Sequence, residues 1–434
     1  MLRIYKNLKE DMPLFSGEDR GHHLACGHSA AQLLSFISFY LPLSPSIFFY
    51  LLLSLPFCRL TAGEVRLTVE NPTDRQRQEV VAFDLKAVCH QLAVDTATSL
   101  TVKNGFGQQV TYQTTHDGQL LLYVALQPMS SAVFTVAEGK PETFRRWVYG
   151  RLYPERLDDL TWENDRGIYR IYGPALQRTG ERSFGTDVWV KSTPELVVEQ
   201  RYQAHFRGMQ RRDSLRKAGR QAEAREADLA ASFHHDHGYG LDCYSVGPSL
   251  GCGAPALLAD GQLQLPYCFA AHRILDNGPL RFTVELTYGT RADGITEHRL
   301  ISLDRGSHFC RTTVWYDGIA HPLTLATGVV LHDHDHLMLE QDYVGYADPT
   351  DNPKVHQSQI YVATLFPEGI DETLLLEGET DHGLGLVRDY KGQPYTYYFG
   401  SAWSSYDVRT QAQWQLTINE TLDNLSQPLK TIIQ

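Results

Sequence analysis

From about residue 64 to its C-terminus the chain alternates apolar and polar residues with a period of two, far more persistently than with any helical period. The runs Glu64-Val65-Arg66-Leu67-Thr68-Val69, Arg281-Phe282-Thr283-Val284-Glu285-Leu286-Thr287-Tyr288 and Cys310-Arg311-Thr312-Thr313-Val314-Trp315-Tyr316 are regular instances. Successive side chains of a strand point to opposite faces, so this pattern calls for half-buried antiparallel strands. One stretch departs from it. Residues 208–231, rich in Ala, Arg and Glu, read as a single long helix with a solvated charged face. No internal repeat of fixed period is present, which argues against a propeller or solenoid. The expectation is an all-β protein.

Residues 64–140 read as a small immunoglobulin-like β-sandwich. Strand-like runs at 64–69, 79–85, 109–112 and 119–124 are separated by turn residues such as Asn104-Gly105 and Asp117-Gly118. Glu138-Gly139-Lys140-Pro141 is a natural boundary. The remainder, 141–434, is too long for one ordinary immunoglobulin domain, and a large sandwich of two wide, curved sheets accommodates it.

Residues 1–63 read as a leader and signal peptide. The stretch 33–57 carries no charge, is interrupted by Pro42 and Pro45, closes at Pro56, and is followed by the small residues Thr61-Ala62-Gly63. A permanent transmembrane anchor is the alternative, because the run is long enough to span a bilayer. Cys58 as a lipid-attachment site is disfavoured, since Leu55-Pro56-Phe57 lacks the small residue such a junction needs. The expected location is periplasmic or secreted, with no stable membrane span once the signal is cleaved.

Composition narrows the function classes. A hydrophobic content of 42% excludes intrinsic disorder. With 39 Lys and Arg against 51 Asp and Glu, the formal charge is −12, and no basic stripe marks a nucleic-acid partner. Past the leader there are Cys89, Cys243, Cys252, Cys268 and Cys310, an odd number without any C-x-x-C, so a zinc site of that kind is excluded. Cys243 and Cys252 either pair across a Gly-rich turn or remain buried thiols.

Several linked motifs carry a resemblance. Trp162-Glu163-Asn164-Asp165-Arg166, Tyr169-Arg170-Ile171-Tyr172-Gly173-Pro174-Ala175-Leu176, Asp187-Val188-Trp189-Val190-Lys191, the run from Phe233 to Tyr244, Val246-Gly247-Pro248-Ser249-Leu250-Gly251-Cys252-Gly253 and Asn277-Gly278-Pro279-Leu280-Arg281 resemble a family of exported bacterial proteins catalogued as a domain of unknown function. That family is often encoded beside pectin- and uronate-degrading enzymes. The resemblance covers roughly 64–434 and implies a galactose-mutarotase-like β-supersandwich with a role in glycan catabolism.

Three stretches offer chemistry. In His234-His235-Asp236-His237, continued as strand, His235 and His237 would share one face; Gly238 and Gly240 would then turn the chain so that Asp242 and Tyr244 return to the same place. A histidine is suited to proton abstraction near neutral pH, and a tyrosine to returning the proton to a glycosidic oxygen. The alternative is a hydrogen-bonded structural turn. In Leu331-His332-Asp333-His334-Asp335-His336, alternation would set His332, His334 and His336 on one face about 6.5–7 Å apart, so that His332 and His334 grip a divalent metal completed by His308 or His272. A solvated surface segment is the other reading. Third, Trp162, Asn164, Arg166 and Arg170 combine a stacking platform, an amide and two guanidinium groups, as a uronate-binding site requires, or they close a turn between sheets.

Other motifs are weaker. Gly247-Pro248-Ser249-Leu250-Gly251 spells a nucleophile elbow but is not followed by a helix-forming stretch. Glu163, Asp165, Asp187 and Asp242 are the carboxylates from which a glycosidase pair would be drawn. The reading that follows is a carbohydrate-active protein whose partner is a uronate-containing oligosaccharide or polysaccharide, cleaved by β-elimination. Non-catalytic glycan binding, or hydrolase or epimerase chemistry on the same scaffold, are the alternatives. No cofactor is required beyond the divalent metal that the second histidine stretch would hold.

Overall fold

The computed structural model describes residues 63–434, so the leader and signal segment lies outside the described residues. Five sheets account for most of the regular secondary structure of the described residues, and their strand pairs are antiparallel. The protein is an all-β sandwich, as the alternation requires. Among the described residues no helix is long and apolar enough to cross a membrane.

At the N-terminal end a four-stranded sheet runs in the order Lys430–Ile433, Glu64–Glu70, Ser131–Glu138, Leu100–Asn104; a three-stranded sheet contains Arg77–Asp84, Gln119–Leu126 and Tyr112–Thr114. They enclose Val65, Leu67, Val69, Phe83, Leu120, Leu122 and Val136. The C-terminal strand pairs Leu67 with Ile433 and Glu70 with Lys430, so the last residues complete the first sheet. A helix, Leu85–Leu92, follows where the second strand was expected to end. Asp84 starts it by accepting a hydrogen bond from the Ala87 amide, and Val88 and Cys89 sink into the same core.

The larger part is built around an eight-stranded sheet in the order Phe269–Asn277, Arg281–Tyr288, Thr296–Asp304, Phe309–Asp317, Tyr395–Trp403, Ile360–Leu365, Tyr343–Asp348, Met338–Leu339. Its inward residues, among them Phe282, Val284, Val314 and Tyr397, share one core with Val329 and Leu325 of a five-stranded sheet and with Leu160, Trp162 and Val188 of another. That second five-stranded sheet, in the order Gly240–Leu241, Thr186–Lys191, Ile168–Ile171, Asp159–Glu163, Tyr149–Tyr153, carries the candidate site. The aromatic run Tyr395–Trp403 is a central strand whose Tyr397 and Phe399 are buried in this core.

The helical prediction needs correction. Helix formation begins earlier, at Val198, and the segment is two helices, Val198–Lys217 and Gln221–Ala231, broken at Gly219, whose φ is +75°. They fold back on each other: Arg212 reaches Asp228 at 3.0 Å, and a Cβ placed on Gly208 would lie only 2.0 Å from that of Ala231. A further helix, Gln411–Ser426, buries Trp414 and Ile418 against the large sheet. Cys89, Cys243, Cys252, Cys268 and Cys310 are all free thiols. Ser249 is buried, donates to the Val246 carbonyl, and is followed by strand Cys252–Ala259 rather than a helix, so it is no nucleophile elbow.

Candidate active site

The hairpin Asp159–Glu163 and Ile168–Ile171, with Thr186–Lys191 beside it, alternates as expected, yet both of its faces are buried. Leu160, Trp162, Tyr169, Ile171, Val188 and Val190 enter the main core. The opposite face carries Asp159, Thr161, Glu163, Arg170, Asp187, Trp189 and Lys191, all of them buried. The helical hairpin covers it: Tyr202 donates to Asp159 at 3.0 Å, and Val198, Tyr202, Phe233 and Trp189 form a separate apolar cluster. Buried charge must be paired, and here it is. Lys191 Nζ lies 2.8 Å from Glu163, whose carboxylate also accepts the Val197 and Val198 amides at the start of the first helix.

Beside that pair, one guanidinium serves three carboxylates. Strand register sets Arg170 opposite Asp187. Arg170 Nη2 lies 2.5 Å from Asp187 and 2.9 Å from Asp242, Nη1 lies 3.7 Å from Asp159, and the Tyr172 hydroxyl is 2.8 Å away. Its Cζ sits over the rings of Tyr172 and Trp189, and Trp189 Nε1 donates to Asp187. Burial pushes the Asp187 carboxyl up to about 8, with Arg170 opposing and Asp242 adding to the rise; burial likewise raises Asp159. The protonated form of Asp187 is therefore favoured at neutral pH.

The loop above it departs from the strand expected for 234–238. Asp236 Oδ1 accepts the amides of Gly238, Tyr239 and Gly240, which closes a turn. Inside such a turn alternation has no meaning. His237 Nε2 bonds the Ser232 carbonyl, and the carbonyl of His235 accepts from Arg201. His234 is the imidazole next to the cluster: its Nδ1 donates to the Asp242 carbonyl at 2.9 Å and lies 3.9 Å from the Asp242 carboxylate. A carbonyl only accepts, so Nδ1 carries the hydrogen and Nε2 keeps its lone pair. The His234 ring is 4.6 Å from that of Phe233, and Arg156 Cζ is 5.5 Å from the same ring. Among the described residues Arg156 makes no hydrogen bond, and its Nε is buried. Burial and the neighbouring Arg156 push the His205 imidazole down to about 4.

The second histidine stretch is also a turn, beginning where strand Leu323–Leu331 ends. His332 Nδ1 lies 2.6 Å from buried Asp348, while His334 Nε2 lies 2.8 Å from Asp381. Each imidazole takes its own carboxylate, and no group of three or more His, Cys, Asp or Glu that could hold a metal occurs among the described residues. The metal site expected at His332 and His334 is thus not assembled. Burial opposes the His332 charge, but the Asp348 bond prevails and lifts its pKa. Tyr244 is buried, packs edge-on to His332 at 5.9 Å, and its hydroxyl has no hydrogen-bond partner among the described residues. His356 bonds Asp351 and the His234 carbonyl, so a second imidazole braces the loop.

The expected sugar platform dissolves into structure. Trp162 is 0% exposed and stacks with Tyr169 and Phe282 in the core. Asn164 secures the hairpin turn through the Asp304 and Ser307 carbonyls and the Arg166 and Gly167 amides. Arg166, at that turn, pairs with Asp407. Of the expected constellation the structure joins Arg170 to Asp242 and leaves Trp162, Asn164 and Arg166 elsewhere. Sequence reasoning passed over Arg156, Asp159, Tyr202, Asp348 and His356, none of which stands in a motif; His234 was assigned to the opposite face of a strand that does not form.

Residues 69–431 match the family described as Domain of unknown function (DUF4861). The chain belongs to this family. A relative, the uncharacterized protein P7 of Formosa agariphila, is 27% identical over 335 residues, covering 73% of this chain and 78% of its own. Among solved structures, an alpha-mannosidase and a glycosyl hydrolase family 38 protein, both from Enterococcus faecalis, align with TM-scores of 0.43 and 0.45, each at 10% identity and over 86% of this chain. The chain spans about half the length of these two proteins, 46% and 47%. The periplasmic domain of Thermotoga maritima YidC aligns at a TM-score of 0.33 and 8% identity over 64% of this chain and 96% of its own.

Proposed function

We propose that this DUF4861 protein is an exported carbohydrate-active enzyme on a galactose-mutarotase-like scaffold, and that it cleaves uronate-containing oligosaccharides by β-elimination. The observation that carries the reading is the pair flanking Phe233: His234, with a free Nε2 lone pair, and Arg156, a guanidinium without a hydrogen-bonding partner. A proton beside a uronate carboxylate is removable only once the carboxylate charge is offset, so base and cation must be neighbours. Arg156 would hold the carboxylate and His234 Nε2 would take the C5 proton. The C4–O bond then breaks with its electron pair, the departing oxygen takes a proton from solvent, and a C4=C5 double bond remains. The base role first assigned to His235 and His237 thus moves to His234. Asp242 becomes the group that orients the base, through its carbonyl.

Two expected parts are not used. Arg170 is buried among three aspartates, and the Tyr244 hydroxyl is enclosed. A hydrolase built on Asp159, Asp187 and Asp242 is opposed by their exposure of 0–3%. Incubation with uronate oligosaccharides should raise the ultraviolet absorbance of a conjugated alkene, with the unsaturated product two hydrogens and one oxygen lighter by mass than its hydrolysis counterpart. His234→Ala should abolish the rise and Arg156→Gln should reduce it at least tenfold. Binding without any alkene would instead identify a glycan-recognition protein.

A further inference from the structure

A separate cavity of about 260 Å³ lies between strand Arg77–Asp84, the outer face of the large sheet and helix Gln411–Ser426. Its walls include Glu79, Arg281, Asp304, Arg305, Arg311 and Tyr398. The charges there fall into two groups. Arg281 grips Asp304 in a two-bond fork at 2.6 and 2.7 Å, and Glu79 is held by Arg77 at 2.7 Å. His308, also in the wall, bonds Asp407, which Arg166 shares. Every wall carboxylate therefore has its cation. Arg305 and Arg311 have none: among the described residues neither guanidinium makes a hydrogen bond or an ion pair. Asp165, the carboxylate that acts on Arg305 through space, is engaged by the Gly306 amide.

Arg305 is nonetheless held in place. Its Cζ lies 4.0 Å from the Tyr123 ring centre and 3.9 Å from that of Trp147, so the guanidinium is clamped between two aromatic faces. Arg311 stands on the exposed face of its strand, opposite Tyr398 on one neighbour and Ser302 on the other. A clamped guanidinium and a second, exposed one supply donors in the fork geometry that matches an oxyanion, and Tyr398 adds an aromatic wall. The volume falls just below the range of roughly 300–1,000 Å³ typical of drug-sized ligands, which suits one sugar unit rather than a chain. In a chain with a formal charge of −12, two unmatched arginines in one cavity are a local reversal of sign.

We propose that this cavity binds a single anionic sugar unit, its carboxylate or sulfate held by Arg305 and Arg311. The site is distinct from the His234 region and does not depend on the activity proposed there. Isothermal titration of the protein comprising residues 64–434 with galacturonate, glucose 6-sulfate, glucose and inorganic sulfate separates the sources. Binding of galacturonate or glucose 6-sulfate at least tenfold tighter than glucose is expected, with the tighter of the two naming the anion. Arg311→Gln should weaken that binding at least tenfold while leaving alkene formation unchanged, and Arg305→Gln should do the same with its fold verified by circular dichroism. Inorganic sulfate binding as tightly as either sugar would overturn the assignment to a sugar. Equal affinity for glucose and galacturonate together with equal affinity for glucose and glucose 6-sulfate, or unchanged affinity in Arg311→Gln, would overturn the site itself.

Discussion

The surroundings of Arg170 and those of Arg305 and Arg311 solve opposite problems with the same side chain. Around Arg170, three aspartates meet one guanidinium in a space closed to solvent, and the surplus negative charge is met by retaining a proton. Around Arg305 and Arg311, the wall carboxylates Glu79 and Asp304 are already matched and two guanidiniums are left over at a cavity open to solvent. The difference teaches where to look for function. A buried ion cluster must balance itself, whereas a solvated cation can wait for a ligand.

Charge removal at the two places breaks or supports that contrast most directly. Arg170→Met leaves three buried carboxylates without their cation and should cost about 3–5 kcal/mol of stability by urea denaturation. Arg311→Met should stay within about 0.5 kcal/mol. Equal losses in the two variants would erase the distinction. Next in size is Tyr202→Phe, which deprives Asp159 of a buried donor and should cost roughly 1–3 kcal/mol, read from the same denaturation curves.

A pH series sharpens the comparison on the buried side. The Asp187 carboxyl sits near 8 in the folded protein against an ordinary 3.8, so the folded state binds more protons between those values. Its contribution to stability is fully present below about pH 4 and is lost as pH rises toward and through 8. Thermal or chemical unfolding followed across this window should show that decline, and Asp187→Asn should flatten it; a slope that survives the substitution belongs to other groups. His332, whose pKa is raised, contributes in the same direction from the ordinary histidine range upward.

The smallest effects test which hydroxyls and imidazoles matter. Tyr244→Phe removes a buried hydroxyl without a partner and should leave stability within about 1 kcal/mol, or improve it, with turnover intact. His237→Ala, on the exposed side of the turn, should change stability by no more than about 0.5 kcal/mol and spare the alkene product that His234→Ala eliminates. Loss of turnover in His237→Ala would return the base role to that residue.

Much of the architecture was legible in the chain itself. Period two identified the strands Glu64–Glu70, Arg281–Tyr288 and Phe309–Asp317, because one-sided burial forces a choice between faces at every residue. Composition also located helix within 208–231, though a single Gly219 in the left-handed region divides it. The two histidine stretches misled for a common reason. Alternation implies a shared face only on a strand, and Asp236 collecting three amides makes 234–239 a turn instead.

Local pattern by itself determined that the protein is built of antiparallel sheets, and it brought Arg170 and Asp242 forward as candidates. Tertiary structure alone decided their meaning. Arg170 meets Asp187 through strand pairing and meets Asp242 across 72 positions of sequence. Trp162 turns inward because the neighbouring Tyr169 and Phe282 complete a core around it. Arg156 and His234, far apart in sequence, both reach the same Phe233. The physical reason is that strand alternation specifies a face, while the identity of what covers that face, helix, sheet or solvent, depends on contacts between segments far apart in the chain.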